Sequence, residues 1–293
     1  MHIEEKRKIM VNGSKIGKLT AETIRQRLGF STIAMPGNER FGAREIGMIR
    51  EANITRIEIC GLHAPTHYDY HDAAQVSEIT TECQKQGIAI VAVHGPGLPY
   101  DCPYEEVRRA VVKEAVASAR VAEEMGASIF VGHFNTNDRS ARTVCDMLDC
   151  LDGGAIKLTV ENGGDLKDFA DFVDYIGSNR FGMVVDIGHT RDADGINPFI
   201  KMERAREAMA GCEHRLFHLH LHDFTDTDHY PPFDGNVQWG EIFLALQDIG
   251  YTGEFMFEAV ARVSLEDTLK KTSTFPDEFV ARYVDRLPTI ESI

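Results

Sequence analysis

The polar residues that close short apolar runs carry the chemistry of this sequence. His94 ends IAIVAVH, His133 ends SIFVGH, Glu161 ends IKLTVE, Asp186 ends FGMVVD, His220 and His222 end RLFHLHLH, and Glu258 lies in EFMFEA. Imidazoles and carboxylates are the side chains that ligate divalent cations, and three carboxylates with one histidine form a hard, oxygen-rich set. Such a set suits Mn²⁺ or Mg²⁺, tolerates Co²⁺ and can take Zn²⁺. Carboxylates that converge in a dry place repel one another and are costly to desolvate; a cation removes both costs. In Phe217-His218-Leu219-His220-Leu221-His222 the alternation has the period of a strand. The three histidines then share the inner face, with His218 deepest, His220 at the height of the carboxylates and His222 near the rim, while Phe217, Leu219 and Leu221 turn outward. His189, in Asp186-Ile187-Gly188-His189-Thr190, stands just above the same place. Glu58 can point inward as well, or serve a structural hydrogen bond; His218 reads as a core histidine and His63, His67 and His71 as solvated loop residues.

These residues need a scaffold that brings strand ends together. Eight β-branched apolar runs, at 27–34, 55–60, 88–94, 128–133, 156–161, 181–186, 215–222 and 254–259, alternate with amphipathic stretches such as 104–125, 166–176, 196–210 and 238–248. Strands that alternate with helices pair in parallel through right-handed crossovers, and eight units in 293 residues suit a closed (β/α)₈ TIM barrel better than a doubly wound open sheet. In such a barrel all C-terminal strand tips surround one mouth. Residues 27–293 are assigned to a single barrel domain. Residues 1–26 form an extension in which Asn12-Gly13 suggests a type I′ hairpin, placed over the barrel floor or against a second copy; a homo-oligomer is expected.

The net charge of −15 argues against nucleic acid and anionic membranes as partners, because both need a basic footprint, and it is neutral toward sugars. No apolar run reaches the roughly 18 residues of a membrane span, and Met1–Lys8 lacks the apolar core of a signal peptide. A cytoplasmic location follows as an expectation, with the six cysteines, none in a C-x-x-C pair, as free thiols.

Together these stretches resemble the xylose isomerase-like TIM barrels, which include sugar isomerases and epimerases, inosose-processing enzymes, 3-dehydroshikimate dehydratase and endonuclease IV. The likeness runs from about residue 27 to 287 and is densest from His218 to Glu258; VEN at 160–162 and VDIGH at 185–189 add to it. The resemblance implies a single divalent metal, Mn²⁺ first, on Glu161, Asp186, His220 and Glu258. It implies a metal-dependent isomerase or epimerase of sugars or polyol-derived ketoses that works by proton transfer through a metal-stabilised enediolate. Glu161 and Glu258 would be the acid–base pair, with His189, His94, His133, His222 and Trp239 around the substrate and Phe30 and Phe134 as further apolar walls. Two features depart from the family's patterns. The Arg after the metal His and the second Glu after the Glu of the fifth strand, which mark ketose 3-epimerases, are replaced by residues such as Thr225-Asp226 and Lys167. The D-x-H of endonuclease IV, which holds three zinc ions, becomes Thr227-Asp228-His229, although His94, His133, Glu161, Asp186, His189, His220, His229 and Glu258 fall near its ligand positions. The same residues therefore also suit a dehydratase or lyase on a keto-sugar or cyclitol, or a second ion at His94 and His133. The loops at 35–41, 62–72, 95–103 and 223–236 offer only Arg40 to a phosphate, which favours an unphosphorylated substrate.

Overall fold

A computed structural model describes residues 19–284. The chain runs α1 (Ala21–Arg25), β1 (Leu28–Ser31), α2 (Ala43–Glu51), β2 (Arg56–Cys60), α3 (Ala73–Gln86), β3 (Ala89–His94), α4 (Glu105–Glu124) and β4 (Ile129–Gly132). It continues through α5 (Asp138–Cys150), β5 (Lys157–Glu161), α6 (Leu166–Ile176), β6 (Phe181–Asp186), α7 (Ala205–Met209), β7 (Leu216–Leu221), α8 (Trp239–Asp248), β8 (Phe255–Phe257) and α9 (Leu265–Phe279). The eight strands are parallel and close into a barrel in sequence order, β1 pairing with β8, so the (β/α)₈ expectation holds. The hairpin expected around Asn12-Gly13 lies outside the described residues.

Each strand is nearly all buried because both faces are covered. The outward residues, among them Phe30, Ile57, Val93, Phe130, Leu158, Val185, Leu219 and Phe257, pack under the helices in the larger core. The inner face holds a small apolar plug of Ala92, Ile129, Val131 and Val184. Register fixes what sits above that plug. His94 is level with Cys60, Asp186 with His220, and Glu58 with Ser31 and Ala92.

Two sequence expectations are corrected. Phe217 does not turn toward the helices. A bulge opposite Met183 and Val184 shifts the β6–β7 register, and Phe217 joins the inner plug against Gly182, where any Cβ would strike its ring. The helix expected over 196–210 is broken: Pro198–Ile200 forms one 3₁₀ turn capped by Asn197, Glu203 adopts a left-handed backbone with φ 67°, and only Ala205–Met209 is α-helical. A non-glycine residue in that conformation cannot continue a right-handed helix. The six cysteines are unpaired, and among the described residues no helix is long and apolar enough to cross a membrane.

The seam between the first and last strands is held from outside by Arg27. Its guanidinium lies 4.0 Å from the Phe255 ring centre, donates from Nε to the Gly253 carbonyl at 2.7 Å and from Nη2 to the Tyr251 carbonyl at 3.1 Å. Replacing it with methionine keeps the apolar stem and leaves two part-buried carbonyls without these donors. Arg27→Met should cost about 1–3 kcal/mol, read as a lower denaturation midpoint; an unchanged midpoint would show that the seam does not depend on it.

Candidate metal centre

The barrel register delivers Glu161, Asp186, His220 and Glu258 to one point. A ligand atom from each lies within 4.8 Å of the others, and all four residues are buried. Glu161 and Asp186 are the last residues of β5 and β6, His220 is the penultimate residue of β7, and Glu258 follows β8 by one position. His220 Nδ1 lies 3.0 Å from Glu258 Oε2, 3.5 Å from Glu161 Oε2 and 4.0 Å from Asp186 Oδ2. Despite these approaches it has no partner in hydrogen-bonding geometry. A buried ring nitrogen left unbonded among three carboxylates is expensive as a packing detail and is what a cation site needs. The donor set fits a divalent cation with one nitrogen and several oxygens.

Neighbouring groups hold these carboxylates in place. Asp186 Oδ1 accepts the backbone N–H groups of Gly188 and His189, both at 2.8 Å, which tightens the turn after β6. His222 Nδ1 accepts the His229 backbone N–H at 2.8 Å, so its proton resides on Nε2, which donates to Asp186 at 2.9 Å. His222 thus orients a carboxylate in place of facing open space. Gly188 passes so close beneath the His222 ring that a Cβ there would strike it. Asn162 ties β5 to β6: its Oδ1 accepts the Asp186 N–H at 2.7 Å and its Nδ2 donates to the Asp186 carbonyl at 3.2 Å. In the sequence this asparagine is indistinguishable from a turn residue.

Histidines build the rest of the mouth. His94 donates from Nδ1 to the Gly95 carbonyl at 3.1 Å, and its Nε2 faces Glu161 Oε2 at 3.1 Å. His133 Nε2 approaches the same oxygen at 3.1 Å, so His94, His133 and Glu161 form a second candidate cluster. On the opposite rim His189 bridges Glu161 Oε1 at 3.0 Å and Asp228 Oδ2 at 3.3 Å. Asp228 also meets His229 Nδ1 at 3.1 Å, and His229 stacks on His222 with ring centres 4.2 Å apart. His189, Asp228 and His229 make a third cluster. Trp239 does not present an open face to a substrate. It is buried among Phe233, Phe257 and Phe275, and its indole N–H donates to Asp223. Phe30 and Phe134 are likewise core residues. Of the loop histidines, His67 is buried and bridges the Glu39 carbonyl and Thr32.

The ionisation of the cluster follows from this crowding. Burial pushes the Glu161 carboxyl up, but the charge of His220 and the contacts from His133 and His189 outweigh it and hold it well below the usual range. Burial likewise disfavours charge on His220, yet Glu258, Glu58 and Glu161 raise it well above an ordinary histidine. On the rim, burial opposes the charge on His189 and His229, but Asp186 and Glu161 raise His189 to about 9, and Asp228 and Glu258 raise His229 to about 10.

Residues 46–275 match the family described as xylose isomerase-like TIM barrel. The chain belongs to that family. An uncharacterized protein of Methanocaldococcus jannaschii is 27% identical over 131 residues, which spans 41% of this chain and 43% of that protein. Among solved structures, D-psicose 3-epimerase from Clostridium cellulolyticum H10, crystallised with D-tagatose, superposes with a TM-score of 0.68 at 17% identity, covering 87% of this chain and 98% of the other. An L-ribulose 3-epimerase gives 0.70 at 16%, covering 91% and 99%, and the IolI protein with a bound zinc atom gives 0.70 at 15%, covering 88% and 99%. At these identities the superpositions establish the shared barrel.

A raised folded-state pKa stabilises the fold fully below the unfolded value and is lost as the pH rises through the folded value. For His189 and His229 that contribution is present below 6.5 and disappears as the pH climbs through about 9 to 10. In metal-free protein, the gap in thermal midpoint between wild type and His229→Gln should therefore narrow as the pH is taken from about 6 to above 10. A constant gap across that range would contradict the assignment.

Proposed function

We propose that the chain is a divalent-metal-dependent isomerase or epimerase acting on an unphosphorylated sugar or polyol-derived ketose. The observation that carries this reading is the unbonded Nδ1 of His220 among Glu161, Asp186 and Glu258. Support comes from the named activities of the structural neighbours, which are sugar 3-epimerases, and from the zinc in the IolI protein. A bound divalent cation, Mn²⁺ by preference, would polarise a substrate carbonyl and stabilise the negative charge that develops when the adjacent C–H is deprotonated. Glu161, Asp186, His220 and Glu258 would hold it.

The chain's own residues supply the proton transfers. Glu161 and Glu258 come from strands three apart and meet the site from different sides, so one can take a proton and the other return it to the opposite face or the neighbouring carbon. Their carboxyls are held ionised, Glu258 by the charge of His220 against the opposing effect of burial, so either is ready to take the first proton, and the one that delivers a proton to the other face must first receive it from solvent or a neighbouring histidine. His189, with its side chain 28% exposed, is the rim group that would exchange its Asp228 contact for a hydrogen bond to a substrate oxygen. Arg40, the one basic residue of the loops at 35–41, 62–72, 95–103 and 223–236, is already engaged by Asp72 and Glu78, and Arg191 after β6 and Arg262 after β8 donate to backbone carbonyls, which agrees with a substrate lacking phosphate. A lyase or dehydratase on a related keto-sugar would use the same groups and differ in the leaving group.

One observation favours a second reading. Three candidate clusters adjoin one another around one mouth, two of them sharing Glu161 and the third joined to it through His189, an arrangement that suits several ions and hence phosphoester hydrolysis. The net charge of −15 opposes a polyanionic substrate.

Metal analysis and one substitution separate these readings. The isomerase reading expects one tightly held divalent ion per chain; three tightly held zinc ions would exclude it in favour of the hydrolase. At saturating metal, Glu258→Gln should lower turnover of a sugar identified by screening by about 10²–10⁴-fold. Full turnover in that variant would remove Glu258 from the acid–base pair.

A further inference from the structure

A fully buried carboxylate lies on the inner face of the barrel against the candidate metal centre. Glu58, on β2, is fully buried, and its Oε2 accepts hydrogen bonds from both His218 Nε2 and His220 Nε2, each at 3.0 Å. Its other oxygen, Oε1, is buried and has no partner among the described residues. A carboxylate left half-bonded in a dry interior is a costly way to fill space, and an apolar residue of similar volume would be cheaper. Its two N–H donors come from a strand about 160 positions away in sequence, so the contact is built by the barrel closure and owes nothing to local turn geometry.

We propose that Glu58 is a positioning residue for the metal centre: it holds the Nε2–H of His220 so that Nδ1 is the nitrogen presented to the cation. This rests on the metal-dependent reading above. The two imidazole nitrogens lie on opposite sides of a rigid ring, so anchoring one fixes where the other points. Here the anchored side faces Glu58 and the free side faces Glu258, Glu161 and Asp186. In a metal-bound His220 the ring proton stays on the Nε2 that Glu58 accepts from, and Nδ1 is the nitrogen left for the ligand bond. His218 shares the same oxygen and meets His220 edge to face, with ring centres 5.3 Å apart. It braces the Glu58 carboxylate against rotation toward the mouth. The inner-face histidine that the sequence marks as plain core is thereby part of the support for the ligand above it.

The test measures metal affinity directly, by titrating Mn²⁺ or Co²⁺ into metal-free protein, with ¹⁵N spectra of the histidine rings in the Zn²⁺-loaded form. Glu58→Leu should weaken affinity by about 10–100-fold, and the His220 Nε2–H resonance should shift or broaden. Glu58→Gln, which keeps an acceptor oxygen in place, should recover part of the affinity and move that resonance less. Wild-type affinity in Glu58→Leu would overturn the role of Glu58 and leave the metal reading standing. If Glu58→Leu fails to fold, Glu58→Gln decides: a His220 Nε2–H resonance identical to wild type would overturn the proposal, and an upfield shift would support it. A wild-type chain that binds no divalent ion would overturn the metal reading and this proposal together.

Discussion

Four buried carboxylates, Glu58, Glu161, Asp186 and Glu258, converge on the axis of one barrel. In a low-dielectric interior their mutual repulsion and lost hydration would be prohibitive without compensating positive charge. The chain answers with histidines placed between them, His220 between Glu58 and Glu258 and His189 between Glu161 and Asp228, while the Nε2–H of His222 donates to Asp186. Most of the polar architecture of the mouth follows from this balance. Asn162 and the turn after Asp186 fix the carboxylates' directions, and His218 doubles the support beneath. A cation entering among Glu161, Asp186, His220 and Glu258 would take over part of the role that protonated imidazoles fill in its absence.

The scaffold serves this constraint at each level. Strand pairing sets the height of the groups, since Asp186 and His220 share a register position, while the outer face of the same strands is given wholly to apolar packing under the helices. The two faces do not compete, because alternation along each strand assigns every second residue to one or the other. Phe217 is the exception that a bulge permits, and it plugs the floor beneath the polar layer.

Much of this was legible in the chain itself. The eight strands are short β-branched runs, and their tips carry ligand-type residues, so Glu161, Asp186, His220 and Glu258 could be assembled by assuming closure. The alternation in Phe217–His222 ranked the three histidines by depth, and the structure keeps that order. Other features were hidden for physical reasons. Glu58 meets its partners only across the closed barrel, so period-two alternation could say that it points inward but not to what. The pairing of Asp228 with His189 and His229 depends on a long irregular loop in which His229 takes a positive φ of 60°, and no periodicity encodes that. The broken helix around Glu203 has the same origin, a backbone conformation that composition does not announce. Trp239 had the residue type of a sugar platform, but it is buried among Phe233, Phe257 and Phe275 and its indole N–H is taken by Asp223.

The most direct measurement is the anomalous scattering of a crystal soaked in Mn²⁺. A single strong peak is expected at about 2.0–2.3 Å from Glu161, Asp186, Glu258 and the Nδ1 of His220, with His220 Nε2 still on Glu58. A peak bound only by His94 and His133, with those four side chains left without an ion, would contradict the central claim.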